Sequence, residues 1–171
     1  MWNNKIIEDF KLQNIDPFWT VPIIQGFVDQ TTKRFGGQEI DVMLISRRRQ
    51  AKAGARFISR GIDDNSNVAN FVESEIIITY DQHLFSFVQI RGSIPLFWEQ
   101  KQKGLNNHIS IKRSKELTSH VFNGHLEDIV NDYHRVLMIN LVSKVKRDEA
   151  KLTQELVELL SDPPRENVKH I

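Results

Sequence analysis

FSFVQIRGSIPLFWEQ, residues Phe85–Gln100, joins a strand, a turn and a second apolar run. Phe85, Phe87, Val88 and Ile90 give its first part the β-branched and aromatic composition of a buried strand. Gly92 carries no Cβ and Pro95 fixes φ, so the chain turns before Leu96-Phe97-Trp98. Arg91, held at the strand end beside a glycine, is placed to contact an anion.

Working upstream, Phe71–Tyr80 and Leu84–Ile90 read as a hairpin around Asp81-Gln82-His83. Glu73 and Glu75 lie two apart and share one face of their strand. Paired carboxylates carry acid–base chemistry in glycosidases, but a solvent-facing polar surface has the same pattern and is the simpler reading. Gly61–Asn70 is polar and turn-forming, because Asp63, Asp64, Asn65, Ser66 and Asn67 can bond their own backbone. An EF-hand loop needs glycine at its sixth position and glutamate at its twelfth. Counted from Asp63 those positions are Val68 and Ser74, which excludes that calcium site.

Ser46–Arg60 is the most basic stretch. It holds Arg47, Arg48, Arg49, Lys52, Arg56 and Arg60, and no acid. Arginine binds phosphate groups bidentately, although a solvated charged surface has the same composition. No nucleic-acid-binding motif accompanies the cluster, so no nucleic-acid partner is expected. Trp19–Asp29 and Glu39–Ser46 read as strands, with Phe35-Gly36-Gly37 in the loop between them. Trp2, Ile6 and Phe10 recur every four residues, which gives one face of a short helix ending near Asn14-Ile15-Asp16-Pro17.

Downstream, Lys101–Arg113 reads as a polar linker with a brief alternation at Ile109 and Ile111. Ser114 is an N-cap. Leu117, Val121, Phe122, Leu126, Ile129 and Tyr133 then form a core-facing helical stripe. His120 and His125, five apart, do not share a helix face as zinc ligands do. The six histidines form no metal constellation, and no metal or other cofactor is expected. Arg135–Val142 reads as a buried strand of the parallel type. Asp148–Leu160 reads as a helix with Leu152, Leu156 and Leu159 or Leu160 inward, stopped by Asp162-Pro163-Pro164. Val168–Ile171 opens another strand. The expected architecture is one α/β or α+β domain over residues 1–171: a mixed sheet with two β-hairpins, flanked by about three helices.

Composition sets the outer limits. A chain of 171 residues, 40% hydrophobic and 26% charged, is globular and long enough for a core. A net charge of +1 makes any anion site a local cluster and not a global field. No apolar run reaches the ~18 residues of a membrane span. Met1-Trp2-Asn3-Asn4-Lys5 opens neither a signal nor a transit peptide.

FSFVQIRGSIPLFWEQ resembles a signature of the Sac-type phosphoinositide phosphatases, and within that family the synaptojanin-type Sac domain. Three upstream blocks keep the family's order and approximate spacing: Ala53-Gly54-Ala55-Arg56-Phe57, Arg60-Gly61-Ile62-Asp63-Asp64, and Asn67 to Glu75, NVANFVESE. A weaker likeness runs from Trp2-Asn3-Asn4 to Asn140-Leu141-Val142. The resemblance implies phosphoinositide lipids or an anionic membrane surface as partner, and a cytoplasmic protein peripheral at membranes. It turns the basic cluster, with Arg47, Arg48, Arg49, Arg56, Arg60 and Arg91, into candidate head-group contacts. Asn70, Glu73, Glu75 and Gly92 become candidate site-supporting residues. Arg91 has a second reading, as a structural partner of Glu73 or Glu75. The chain departs from the family at Lys52 and Ala55, where Arg and Thr are usual, so any hydroxyl contact at position 55 is lost.

Sac phosphatases, by this resemblance, work through a Cys-x5-Arg loop whose thiolate attacks phosphorus and forms a phosphocysteine. This sequence contains no cysteine. The expectation is a partial Sac domain, without the N-terminal subdomain and the Cys-x5-Arg loop, and inactive by itself. Unpaired sheet edges and exposed apolar surface are expected with it, together with self-association or association with the rest of such a domain.

Overall fold

The structure, a computed structural model, describes residues 2–54, 59–103, 106–143, 145–161 and 166–171. Two compact units result: Met1–Ala53 with Phe71–Arg91, and Gly54–Asn70 with Gly92–Ile171. The fold is α+β, with three α-helices and three separate sheets among the described residues.

The first unit holds helix α1 (Asn4–Leu12) and strands β1 (Gln25–Phe35), β2 (Gln38–Arg48), β3 (Val72–Tyr80) and β4 (His83–Arg91). The strands form one antiparallel sheet in the order β1-β2-β3-β4. Gly36 and Gly37 close the first hairpin with φ of +59° and +85°, the left-handed pair that a two-residue turn between twisted strands requires. Register then sets the faces. Phe27, Ser46, Ser74 and Gln89 lie side by side across the sheet, and Leu44, Ile76 and Phe87 continue that face. Arg47, Glu73 and Glu75 alternate with them and point to the other side.

Three expectations change in this unit. The first strand begins at Gln25, not Trp19, because Pro22 offers no N–H and Asn3 takes the neighbouring backbone groups. Ile23 N donates to Asn3 Oδ1 (2.8 Å), and Asn3 Nδ2 donates to the Val21 carbonyl (2.8 Å). Helix α1 starts at Asn4, so Trp2 lies outside it and Ile7 becomes the buried position, while Ile6 is exposed. The strand at Phe85 is not buried. β4 is a sheet edge, and Phe85 and Phe87 stay 57% and 59% exposed.

The second unit holds β5 (Trp98–Lys103), β6 (Asn106–Ile111), α2 (Lys115–Tyr133), β7 (Val136–Met138), α3 (Arg147–Ser161) and β8 (Val168–His170). Its core is Leu96, Phe122, Leu126, Leu152, Leu156 and Leu159, with Ile94, Trp98, Ile109, Ile111, Met138 and Leu160 packed against it. Both helices present the spacing the sequence carries, although Leu117 is exposed. The stretch expected as a linker is instead the β5–β6 hairpin, from which Trp98, Ile109 and Ile111 pack against the core. The strand expected over Arg135–Val142 shrinks to Val136–Met138. It pairs in parallel with β8 through the α3 crossover. Only one side of this short pair meets the core, so Leu137, Ile139 and Leu141 are exposed. Asp162, Pro163 and Pro164 lie outside the described residues.

Candidate functional site

The most recognisable residues of the sequence knit one loop to another in the second unit. Ile62 N donates to the Leu96 carbonyl (2.9 Å), Ser93 N to the Ala69 carbonyl (3.0 Å) and Ala69 N to the Gly61 carbonyl (2.8 Å). Gly61 N donates to Ser93 Oγ (2.8 Å). Gly61 sits at φ +68°, and a Cβ there would meet the Leu96 carbonyl oxygen at 2.4 Å. Only glycine fits both demands. Asn70 adopts φ +57° and its Nδ2 donates to the Ser59 carbonyl (3.2 Å). Asp63 Oδ1 accepts the N–H groups of Asn65 (3.0 Å) and Asn67 (2.8 Å), which folds the acidic loop onto itself. Among the described residues the glycines with positive φ are Gly36, Gly37 and Gly61, and Gly92 is not one of them.

Arg60 lies in this unit. Its Nη2 donates to Gln100 Oε1 (2.9 Å), and its guanidinium stands 5.4 Å from the Trp98 ring centroid. Arg113 stacks on Phe97 at 3.9 Å and pairs with Asp64. Arg56 lies outside the described residues.

The other candidate arginines gather at one end of the four-stranded sheet. Arg47 points to the face of Glu73 and Glu75. Its Nη1 donates to Glu73 Oε1 (2.7 Å) and its Nη2 to Glu75 Oε2 (3.2 Å). Partial burial works against the Arg47 charge, but the two carboxylates outweigh it and raise its pKa. The Ser86 hydroxyl, then Arg47, hold the Glu75 carboxyl below its ordinary range. Glu73 and Glu75 are therefore both engaged by Arg47.

Arg48 and Arg91 occupy the opposite face, one on each side of Val72 in a single cross-strand row. Neighbouring strands lie ~4.8 Å apart, so the two Cα atoms stand about 10 Å apart, within the joint reach of two arginine side chains for one anion. Arg49 follows directly, its guanidinium 4.4 Å from the Phe71 ring centroid. The adjoining row on this face is Ser46, Ser74 and Gln89, with Ser74 Oγ bonded to Ser46 Oγ (3.4 Å). These two rows carry cations, hydroxyls and amides but no carboxylate. Sequence reasoning missed Ser46, Ser74 and Gln89. Their signal exists only as register, once the Gly36-Gly37 turn fixes which residues stand opposite.

Elsewhere Glu99, between Lys112 (2.5 Å) and Lys101 (2.9 Å), has its pKa drawn down to about 2 by those ammonium hydrogen bonds. Among the described residues no three His, Asp or Glu side chains form a metal-binding group. No helix among them is long and apolar enough to cross a membrane.

Comparison with known proteins gives a consistent pattern. The SacI homology domain matches residues 1–170. A polyphosphatidylinositol phosphatase of Saccharomyces cerevisiae is 35% identical over 178 aligned residues, covering 98% of this chain and 16% of the relative. An inositol-1,4,5-trisphosphate 5-phosphatase of Schizosaccharomyces pombe is 38% identical, covering 86% of this chain and 14% of the relative. Synaptojanin-2 of Rattus norvegicus is 39% identical, covering 72% and 8%. The chain thus spans less than a fifth of the length of each of these three relatives.

Proposed function

From the premise that the chain belongs to the SacI homology domain family, we propose that it is the framing and head-group-binding part of a phosphoinositide phosphatase and not the part that breaks the phosphate ester. The Saccharomyces cerevisiae relative is named a polyphosphatidylinositol phosphatase and the Schizosaccharomyces pombe one an inositol-1,4,5-trisphosphate 5-phosphatase. The family's nucleophile is a cysteine, and this sequence has none. A bound phosphoinositide supplies phosphate monoesters, for which paired guanidinium groups are suited.

The observation that carries the binding half is the sheet end. Arg48 and Arg91 share a face with Ser46, Ser74 and Gln89, while Arg47 holds both nearby carboxylates on the other side. Arg47 draws Glu73 and Glu75 to the other side, and the two rows that hold Arg48 and Arg91 carry no carboxylate.

The test is titration of a water-soluble, short-chain phosphoinositide into the 171-residue chain, with inorganic phosphate as control. Binding is expected to weaken with salt and to fall when Arg48 and Arg91 are changed to Gln. Affinity unmoved by both would remove the sheet end from the reading. The same arginines support a second reading, a non-catalytic module for anionic membranes, which the exposed Phe85 and Phe87 on the strand that ends at Arg91 favour.

A further inference from the structure

Residues Pro17–Ile24, PFWTVPII, contain no charged group, and their apolar side chains face solvent. Phe18 is 78% exposed, Trp19 72%, Val21 70%, Ile23 56% and Ile24 54%. Leaving five such neighbours in water is costly, and an exposed patch of this kind marks an interaction surface.

The segment is held in shape. Asp16 Oδ1 accepts the Phe18 N–H (2.8 Å) and Thr20 Oγ1 donates to the Pro17 carbonyl (3.0 Å), which fixes a single 3-10 turn. The Phe18 and Trp19 rings meet edge to face at 5.3 Å. Asn3 clamps Val21 and Ile23, and Trp2 N donates to the Ile23 carbonyl (2.7 Å). A pre-shaped apolar segment loses little conformational entropy when it is buried.

Its position matters as much as its composition. Ile24 runs into Gln25, which pairs with Arg48, and Trp2 Nε1 donates to the Arg48 carbonyl (3.2 Å). The uncharged segment and the arginine row therefore occupy the same end of the same sheet. Apolar aromatics beside arginines, with no carboxylate in the two sheet rows there, match a layer of hydrocarbon lying under a layer of anionic head groups.

We propose that Phe18–Ile24 is a membrane-inserting wedge that seats the basic end of the first unit on an anionic bilayer. This deepens the head-group reading and rests on it. Phe18 and Trp19 enter the boundary between head groups and acyl chains, while Arg48, Arg49 and Arg91 stay at head-group level.

The experiment uses the 171-residue chain and phosphatidylcholine vesicles holding roughly one-fifth phosphatidylserine, a source of the negative surface potential of a cytoplasmic leaflet. Binding is read by co-sedimentation, and insertion by quenching of tryptophan fluorescence with lipids brominated in the acyl chain. Wild type is expected to bind and to be quenched. Trp19→Phe keeps an apolar ring at the site, so it should bind but escape most of the quenching. Phe18→Ser combined with Trp19→Ser should weaken binding about tenfold or more. Because both rings are exposed and the segment is held by other groups, that variant should keep the far-ultraviolet dichroism of wild type. Changing Arg48, Arg49 and Arg91 to Gln should cost roughly fivefold per arginine at low salt.

Undiminished binding of the double-serine variant, with no acyl-chain quenching of wild type, would overturn the wedge and leave head-group contact standing. A double-serine variant that loses self-association in place of vesicle binding would overturn it in favour of a protein-facing surface. Wedge-dependent vesicle binding without affinity for the soluble short-chain lipid would instead remove the head-group reading alone.

Discussion

Gly61→Ala tests whether the loop residues that knit Gly61–Asn70 to Ser93–Leu96 hold the fold. The added Cβ would stand 2.4 Å from the Leu96 carbonyl oxygen and 3.1 Å from both Trp98 N and Cδ1. Two of those are backbone atoms, so no side-chain rotation relieves the contact. The left-handed φ of +68° costs alanine ~1–2 kcal/mol by itself. Pushing the Leu96 carbonyl away breaks its bond from Ile62 N, in a place where both residues are almost wholly buried, and adds ~1–3 kcal/mol. The expected loss is therefore about 3 kcal/mol, measured by urea unfolding followed by circular dichroism. Gly36→Ala is the control. Its φ is +59° but nothing lies within 4 Å of the new Cβ, so it should cost only ~1–2 kcal/mol. Equal losses for the two variants would refute the reasoning, because the Leu96 contact would then contribute nothing.

Phe122→Ala, at a side chain with no exposed surface, should cost about 3–5 kcal/mol in the same unfolding experiment; a loss below ~1 kcal/mol would mean the core of the second unit is not packed as described. Folded Glu99 releases its proton near 2, against 4.5 for the free group, so between these values the unfolded chain binds more protons. Its contribution to stability is complete above pH 4.5 and fades as the pH falls towards 2. Glu99→Gln should flatten that acid limb in thermal melts, and an unchanged limb would count against the Lys101 and Lys112 contacts. Phe85 and Phe87, more than half exposed on an edge strand, should drive concentration-dependent association in sedimentation velocity. Phe85→Lys with Phe87→Lys should shift the chain towards monomer; an unchanged profile would place the association elsewhere.

The helices of the second unit were legible because their signal is local. Leu152, Leu156 and Leu159 sit at helical spacing, and these are the residues buried along α3. The Gly36-Gly37 turn was legible for the same reason, since two adjacent left-handed positions favour glycine strongly. The β5–β6 hairpin was not, because its Lys, Gln and Asn content imitates a linker and only Ile109 and Ile111 betray alternation. Burial of β4 misled for a different reason. Composition reports what a strand can bury, not whether another layer is there to cover it, and Phe85 and Phe87 lie on a sheet edge. The arginine cluster was visible, but its division was not. Consecutive residues on a strand point to opposite faces, so Arg47 meets Glu73 and Glu75 while Arg48 joins Arg91 across Val72. Linear sequence cannot display that split without the register.

The most direct measurement is phosphate release from short-chain phosphoinositides by the 171-residue chain. It is run beside a chimera in which this chain replaces the matched segment of the Saccharomyces cerevisiae polyphosphatidylinositol phosphatase. The account predicts no release by the chain and release by the chimera, reduced when Arg48 and Arg91 are changed to Gln. Release by the cysteine-free chain would contradict it, because the chemistry would then reside in the part assigned here only to framing and binding.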